Sequence, residues 1–428
     1  MGYMMKYKSL AIFAAVIIII FSMTSCSYMD DYINEIVQDM IFGEEYEYEK
    51  NTVTVIAAET ERITETVSEN VYETLPEFVN HINTYAYDCL NEKQQVLYRI
   101  MLDAVGGWTE EITVFPEELE AEDFFTVNKY LLIDRSDLFY VRENGTVTTT
   151  TFENSKWVSK YTFNYCMSLS EYKKHQIAVD AACEGYLRGI RADMNGYDKA
   201  LAAYEFIIEN TRYDERARDK ITDNKYDKHT NTATAIYGVF SEKIAVCEGY
   251  AKAMQYLLEK VGIECVFVSG GNHAWNLVRL DGDWYYIDAT WGDPVTDNGE
   301  DIVSYDYFCL TTKELLKTHT IGEHIPVPEC TAVRYNYYVY NNLLLESYEY
   351  GNILNICVQA LNEGKKEACI KFKTQAEYEI AMRKMFDENE VFKVLDGVKK
   401  STGASIQTDA VKYRNDDDFY TVTVILQD

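Results

Sequence analysis

Cys247 opens the segment CEGYAKAMQYLLEKVG, His273 opens HAWNLVRL, and Asp288 closes DWYYID. A thiol, an imidazole and a carboxylate in mutual reach supply a nucleophile, a base and a group that orients the base. Such a set attacks carbonyl carbon and passes through a covalent thioester. Whether these three meet is decided by the elements that carry them.

From Cys247 onward, Tyr250, Ala251, Met254, Leu257, Leu258 and Val261 recur at three- and four-residue spacing. That pattern predicts an amphipathic helix ending near Gly262. Cys247 then lies in the first turn, where unpaired N–H groups and the positive end of the helix dipole favour a thiolate. The same N–H groups can hold an oxyanion. Gly249, in that turn, leaves room for a close approach.

Between HAWNLVRL and DWYYID stands Asp281-Gly282, the signature of a two-residue hairpin turn. If Leu280 pairs with Asp283, His273 falls opposite Thr290 and Trp275 opposite Asp288. Alternation then places His273, Trp275, Leu277 and Arg279 on the same face as Trp284, Tyr286, Asp288 and Thr290. His273 and Asp288 become diagonal neighbours at about 7–8 Å, a gap their side chains can close. A one-residue slip would put them on opposite faces.

The blocks VCEGYA, HAWNLV and WYYIDATW resemble the Cys, His and Asp blocks of the transglutaminase-like superfamily. YEFIIENTRYDER and a helix from Thr232 to Ser241 resemble the lead-in of its bacterial members, so the likeness runs from about Asp198 to Thr320. It implies an α+β fold with a papain-like cysteine-hydrolase core, with Cys247 as nucleophile, His273 as base and Asp288 as orienting carboxylate. The superfamily includes cross-linking enzymes, proteases, deamidases and inactive relatives, so fold alone does not choose the reaction. No cofactor is expected.

Other residues invite the same question. CEGY recurs at Cys183, inside a helical pattern from Leu169 to Ala192 with no His and Asp hairpin behind it, so Cys183 reads as a packing residue. Cys309, His319, His324 and Cys330 lack the paired spacing of a zinc site. His319 is expected near a helix end, where a cation is favourable. His81, His175 and His229 show no surrounding constellation. Trp275, Trp291, Tyr213 and Tyr250 read as walls of a cleft or hydrogen-bond donors beside it.

Lys6 and Lys8 precede an apolar run from Leu10 to Phe21 and then Met23-Thr24-Ser25-Cys26. A run this short suits a signal peptide, since a spanning helix needs about 20 residues. The residues before Cys26 resemble a bacterial lipobox, which implies lipid attachment at Cys26 and a place on the outer face of the cell membrane. The expected organisation is a signal peptide over 1–25, an acidic tether over 26–77, an N-terminal α+β region over 78–195, the core over 196–330, and a small α+β appendage over 331–428. In the N-terminal region LNEKQQVLYRIMLDAV reads as a helix, and LFYVR and TVTTTTF read as a hairpin around Asn144-Gly145. In the appendage NYYVYNNLLLESY reads as strand pieces, EACIKFKT as a strand, Gln375 to Lys393 as a helix and DFYTVTVIL as the closing strand.

The formal net charge of −30 argues against nucleic acid and other polyanions as partners. With Cys26 lipidated and Cys247 free, eight of the ten cysteines remain to pair or stay reduced, and spacing does not choose. The expected function is that of an exported, membrane-anchored thiol enzyme acting on carboxamide bonds of peptides or proteins, with hydrolysis favoured over amine transfer. The alternative is a binding or scaffolding module that kept the fold without turnover.

Overall fold

The computed structural model describes residues 52–57, 83–114, 119–151, 157–294 and 302–426. The expected signal peptide, the lipid site Cys26 and His81 lie outside the described residues, as does most of the acidic tether. Among the described residues no helix is long and apolar enough to cross a membrane. The architecture is α+β, with three four-stranded sheets and a short two-stranded one among the described residues, and helices packed on the larger sheets.

The first sheet holds β1 (Thr52–Ala57), β2 (Glu111–Val114), β3 (Val141–Thr151) and β4 (Trp157–Tyr165) in the order β1-β3-β4-β2. Part of the stretch expected to be a tether therefore joins a sheet, as β1 runs parallel to β3. Asn144-Gly145 is not the expected hairpin turn. It is an irregularity within β3, which pairs with β4 on both sides of it. A Cβ on Gly145 would stand 2.2 Å from the Tyr161 hydroxyl, so glycine is required there by a ring crossing from β4. The helix Glu92–Gly106 forms as predicted, with Asn91 and Gln94 in a reciprocal capping box.

The central region begins with the helices Leu169–Gly189 and Gly196–Asn210, capped by Ser168 and Asn195. Val179, Cys183 and Tyr186 of the first helix sit in the central apolar core, so Cys183 packs as expected. The expected helix from Thr232 to Ser241 is broken: Lys228–Ala233 is helical, and a π-turn over Gly238–Glu242 follows. The hydroxyls of Thr232 and Thr234 bond back to the carbonyls of Lys228 and Thr230 at 3.0 and 3.1 Å, a pattern that loosens a helix. The short strands β5 (Arg212–Tyr213) and β6 (Ile244–Ala245) pair in parallel and deliver the chain to Val246.

The sheet that carries the site contains β7 (Cys265–Gly270), β8 (His273–Leu280), β9 (Asp283–Ile287) and β10 (Phe308–Leu310) in the order β10-β9-β8-β7. The helix Cys247–Lys260 packs on β7 and β8, and its Ala251 carbonyl accepts a 2.9 Å bond from Asn276 on β8. A second apolar cluster joins Ala86 and Ile133 of the N-terminal region to Val266, Trp275 and Leu277 of this sheet.

The last sheet runs β11 (Leu344–Leu345), β12 (Glu367–Phe372), β14 (Thr421–Ile425), β13 (Lys412–Asp416). Helices Tyr350–Asn362 and Glu390–Thr402 cover one face of it, where Ile370, Val422 and Val424 are buried. Strand pieces expected in NYYVYNNLLLESY resolve into a helical turn over Tyr337–Tyr340 and the two residues of β11. Tyr337 and Tyr338 turn inward there and are buried, which overrides the strand preference of their β-branched and aromatic neighbours. The expected helix from Gln375 to Lys393 is interrupted after a π-turn, because Asn389 adopts a left-handed backbone (φ 61°).

Candidate active site

The helix bearing the thiol starts where predicted, with Val246 as its extended N-cap and Cys247 as its first residue. Val246 offers no side-chain cap, so the N–H groups of the first turn have no side chain folded over them. Val246 itself is tied by its N–H to the Ala233 carbonyl at 3.0 Å. The space that Gly249 leaves is taken by the protein's own chain: an added Cβ would meet the Ala233 carbonyl oxygen at 2.5 Å and the Ala245 Cβ at 2.8 Å.

The hairpin has the predicted register, with Leu280 opposite Asp283 and Asn276 opposite Ile287. Asp281 and Gly282 both take left-handed conformations, with φ of 51° and 93°, as a tight hairpin turn requires. The Tyr335 hydroxyl is bonded to the Asp281 carboxylate and braces the turn from outside the hairpin. The regular ladder stops at Ile287, and Asp288 N–H bonds instead to the Tyr307 carbonyl at 3.0 Å.

The expected parity brings the side chains together. His273 Nε2 lies 2.6 Å from Asp288 Oδ2, and the Cys247 thiol is near enough to the imidazole to raise its proton affinity. Asp288 is almost fully buried and its other oxygen, Oδ1, accepts the N–H groups of Thr290 at 2.8 Å and Trp291 at 3.1 Å. Burial pushes the His273 imidazolium down, but the Asp288 charge and the hydrogen bonds to Asp288 and Cys247 outweigh it and raise it to about 10. Burial likewise pushes the Asp288 carboxyl up, and the two imidazoles beside it hold it down at about 2. The pair is therefore an ion pair at neutral pH.

The second imidazole belongs to His319. Its Nε2 reaches the same Asp288 Oδ2 at 2.9 Å. Sequence reading placed it near a helix end as a favourable cation. It does follow the turn Thr312–Leu315, but it is buried against the carboxylate rather than turned to the helix terminus. No spacing rule links His319 to Asp288, because their contact depends on the path of the chain after β10. His273, Asp288 and His319 are also the one set among the described residues close enough to share a metal ion. Both imidazoles, however, aim a nitrogen at one carboxylate oxygen, which is the geometry of hydrogen bonding. His324 is elsewhere, at 3.1 Å from the Ser269 hydroxyl, and His229 has an unexpected partner in Asp214 at 2.8 Å. The nine cysteines among the described residues, Cys183 and Cys247 included, are all unpaired.

Aromatic rings enclose the imidazoles. Trp275 is buried and lies 5.7 Å from the His273 ring, while Trp291 stands 5.7 Å from it on the solvent side and is 39% exposed. A cleft of about 480 Å³ opens there. It is lined by Tyr213, His273, Thr290 and Trp291, by Tyr305 and Tyr307, and by Arg414, Asp416 and Thr423 of the last sheet. Burial, then the neighbouring Cys247, raises the Tyr213 phenol to about 12, so it stays a proton donor at the mouth of the site. Tyr250 instead bonds Asp293 from below and is buried.

Comparison with known proteins bears on the family of the region that carries the site. Residues 184–289 match the family model of the transglutaminase-like superfamily. A stretch of 99 residues is 28% identical to the kyphoscoliosis peptidase of Mus musculus and 31% identical to that of Homo sapiens. That stretch is 19% of this chain and 14% of each relative, so the chain spans a small part of their length. A solved structure described as the crystal structure of a TGase aligns over 37% of this chain and 54% of its own, at 15% identity and a TM-score of 0.27. Within residues 184–289 the chain thus carries a domain of the transglutaminase-like superfamily.

Proposed function

We propose that the protein is a thiol hydrolase of carboxamide bonds in peptides or proteins. The observation that carries the reading is the 2.6 Å contact between His273 and the buried Asp288, with Cys247, at a helix N-terminus, as electrostatic neighbour of the same imidazole. In the proposed reaction the Cys247 sulfur, as thiolate, attacks the carbonyl carbon. The tetrahedral oxyanion faces the first-turn N–H groups of its helix and the Tyr213 phenol. His273, held as the imidazolium, gives its proton to the departing amine and a thioester remains. Water then attacks the thioester, His273 takes a proton from it, and the acid and the thiolate–imidazolium pair are released.

Water rather than an amine is favoured as the second nucleophile because the site is open. The His273 side chain keeps 19% exposure, and Trp291 beside it is itself 39% exposed. The peptidase name of the matched relatives supports the same choice over their shared stretch. The proposed setting is the outer face of a bacterial membrane, through a lipid on Cys26. Labelling with a palmitate analogue tests that part, and is expected to tag the wild type and not Cys26→Ala.

The reaction is tested by incubating the purified protein with an unfolded protein digest, with and without a primary amine, and following products by mass spectrometry. New carboxyl termini or deamidated side chains are expected, lost in Cys247→Ala and kept in Cys183→Ala. Amine adducts as the main product would move the reading to transamidation. A folded protein with no product in either condition would favour the binding module.

A further inference from the structure

His319 is a buried polar side chain at the centre of the site that neither the sequence pattern nor the proposed chemistry uses. Its imidazole is buried, and its surroundings are fully specified. Nε2 stands 2.9 Å from Asp288 Oδ2, and Nδ1 stands 2.8 Å from the Thr318 hydroxyl. Its backbone N–H is held by the Leu315 carbonyl at 2.9 Å. The ring is clamped by Trp291 at 4.7 Å, Trp275 at 4.8 Å and Tyr307 at 6.0 Å.

An ionised carboxylate only accepts hydrogen bonds, so the His319 nitrogen facing Asp288 carries a proton. Asp288 then receives four donors: the imidazoles of His273 and His319 on Oδ2, and the N–H groups of Thr290 and Trp291 on Oδ1. A carboxylate has about four such places. The two backbone donors pin one oxygen, and His319 pins the other. Its plane, and hence the direction in which Oδ2 meets His273, is fixed from both ends.

We propose that His319 is a positioning residue, the second imidazole that locks the Asp288 carboxylate in the plane from which it orients His273 toward Cys247. The proposal rests on the thiol-enzyme reading above and deepens it. It makes the working unit a Cys-His-Asp-His set in which both imidazoles meet the same oxygen of Asp288. Without His319 the carboxylate keeps its backbone donors but swings about them, and its hold on the His273 imidazolium loosens.

The test needs no substrate. The rate of Cys247 alkylation by iodoacetamide is measured from pH 5 to pH 9.5 by peptide mass spectrometry, on wild type, His319→Ala, His319→Gln and His273→Ala. Melting curves confirm that each variant is folded at the temperature used. At pH 6 only a thiolate held by an imidazolium reacts quickly, whereas at pH 9.5 any accessible thiol is ionised. Relative to wild type, His319→Ala is expected to lose about tenfold or more at pH 6 and little at pH 9.5, in the range typical of outer-shell orienting groups. His319→Gln, whose amide can still donate to Asp288, is expected to recover to within about threefold of wild type. A His319→Ala variant that melts earlier but keeps the wild-type rate at pH 6 overturns the proposal, since that is a packing role. A glutamine variant as slow as alanine overturns it too. If His273→Ala itself matches wild type at pH 6, the thiol-enzyme reading fails and takes the proposal with it, a result distinct from the other two.

Discussion

Glu314 and Lys371 meet at 3.0 Å across the seam between the central region and the last sheet, with side chains 22% and 10% exposed. Glu314 also caps the turn whose chain continues to His319, accepting the Thr311 N–H and hydroxyl at 3.1 and 2.9 Å. Lys371 lies on β12 between the rings of Tyr338 and Phe419. Removing the lysine strands a half-buried carboxylate, so Lys371→Ala is expected to cost about 3 kcal/mol, the lower end for a broken buried pair. Thermal or urea unfolding checks this, and a change below a few tenths of a kcal/mol would mean that the seam is held by other contacts.

Asp288→Asn keeps the shape of the carboxylate but presents an amide to His273. Turnover is expected to fall on the order of 10⁴-fold with KM little changed, as when a base loses its orienting charge elsewhere. Steady-state kinetics on any substrate found for the wild type decide it. A loss confined to KM would show that Asp288 shapes the cleft and does not serve the base.

The ion pair ties stability to pH. The folded His273 sits at about 10 against an ordinary 6.5, so its contribution is complete below pH 6.5 and is lost as pH rises toward 10. The folded Asp288 sits at about 2 against 3.8, so its contribution is complete above pH 3.8 and is lost as pH falls toward 2. The melting temperature of wild type relative to His273→Ala is therefore expected to be greatest between those limits and to shrink on both sides. A difference that stays constant from pH 5 to pH 10 contradicts the pairing.

Gly249→Ala drives a methyl into the Ala233 carbonyl and the Ala245 side chain. Neither contact is with a flexible chain end, so the start of the Cys247 helix has to shift. Both stability and Cys247 reactivity are expected to drop. Gly282→Ala has open space around it but a φ of 93°, so it is expected to cost about 1–2 kcal/mol through the backbone alone and to leave reactivity intact. Comparing the two variants by melting and alkylation separates turn strain from displacement of the nucleophile.

The parts legible in the sequence were those written locally. The Cys247 helix declares itself by apolar spacing, and Asp281-Gly282 sets a register from which the His273 and Asp288 contact follows. Gly145 shows the limit: the same Asn-Gly pair that signals a turn lies within a continuous strand because Tyr161 crosses it, and that crossing is a tertiary fact. His319 is the corresponding case at the site. Its position relative to Asp288 is set by how β10 and the following turn pack, so neither periodicity nor motif spacing exposes it.

The cleft is lined by His273 and also by Arg414, Asp416 and Thr423, more than a hundred residues later in the chain. On a ribosome, Cys247, His273 and Asp288 are all synthesised well before those three. A nascent chain thus holds Cys247, the proposed nucleophile, before the cleft is complete. For the proposed hydrolase, the order of synthesis would delay a complete substrate cleft until the C-terminal sheet is made, which would shield the cell that makes the protein.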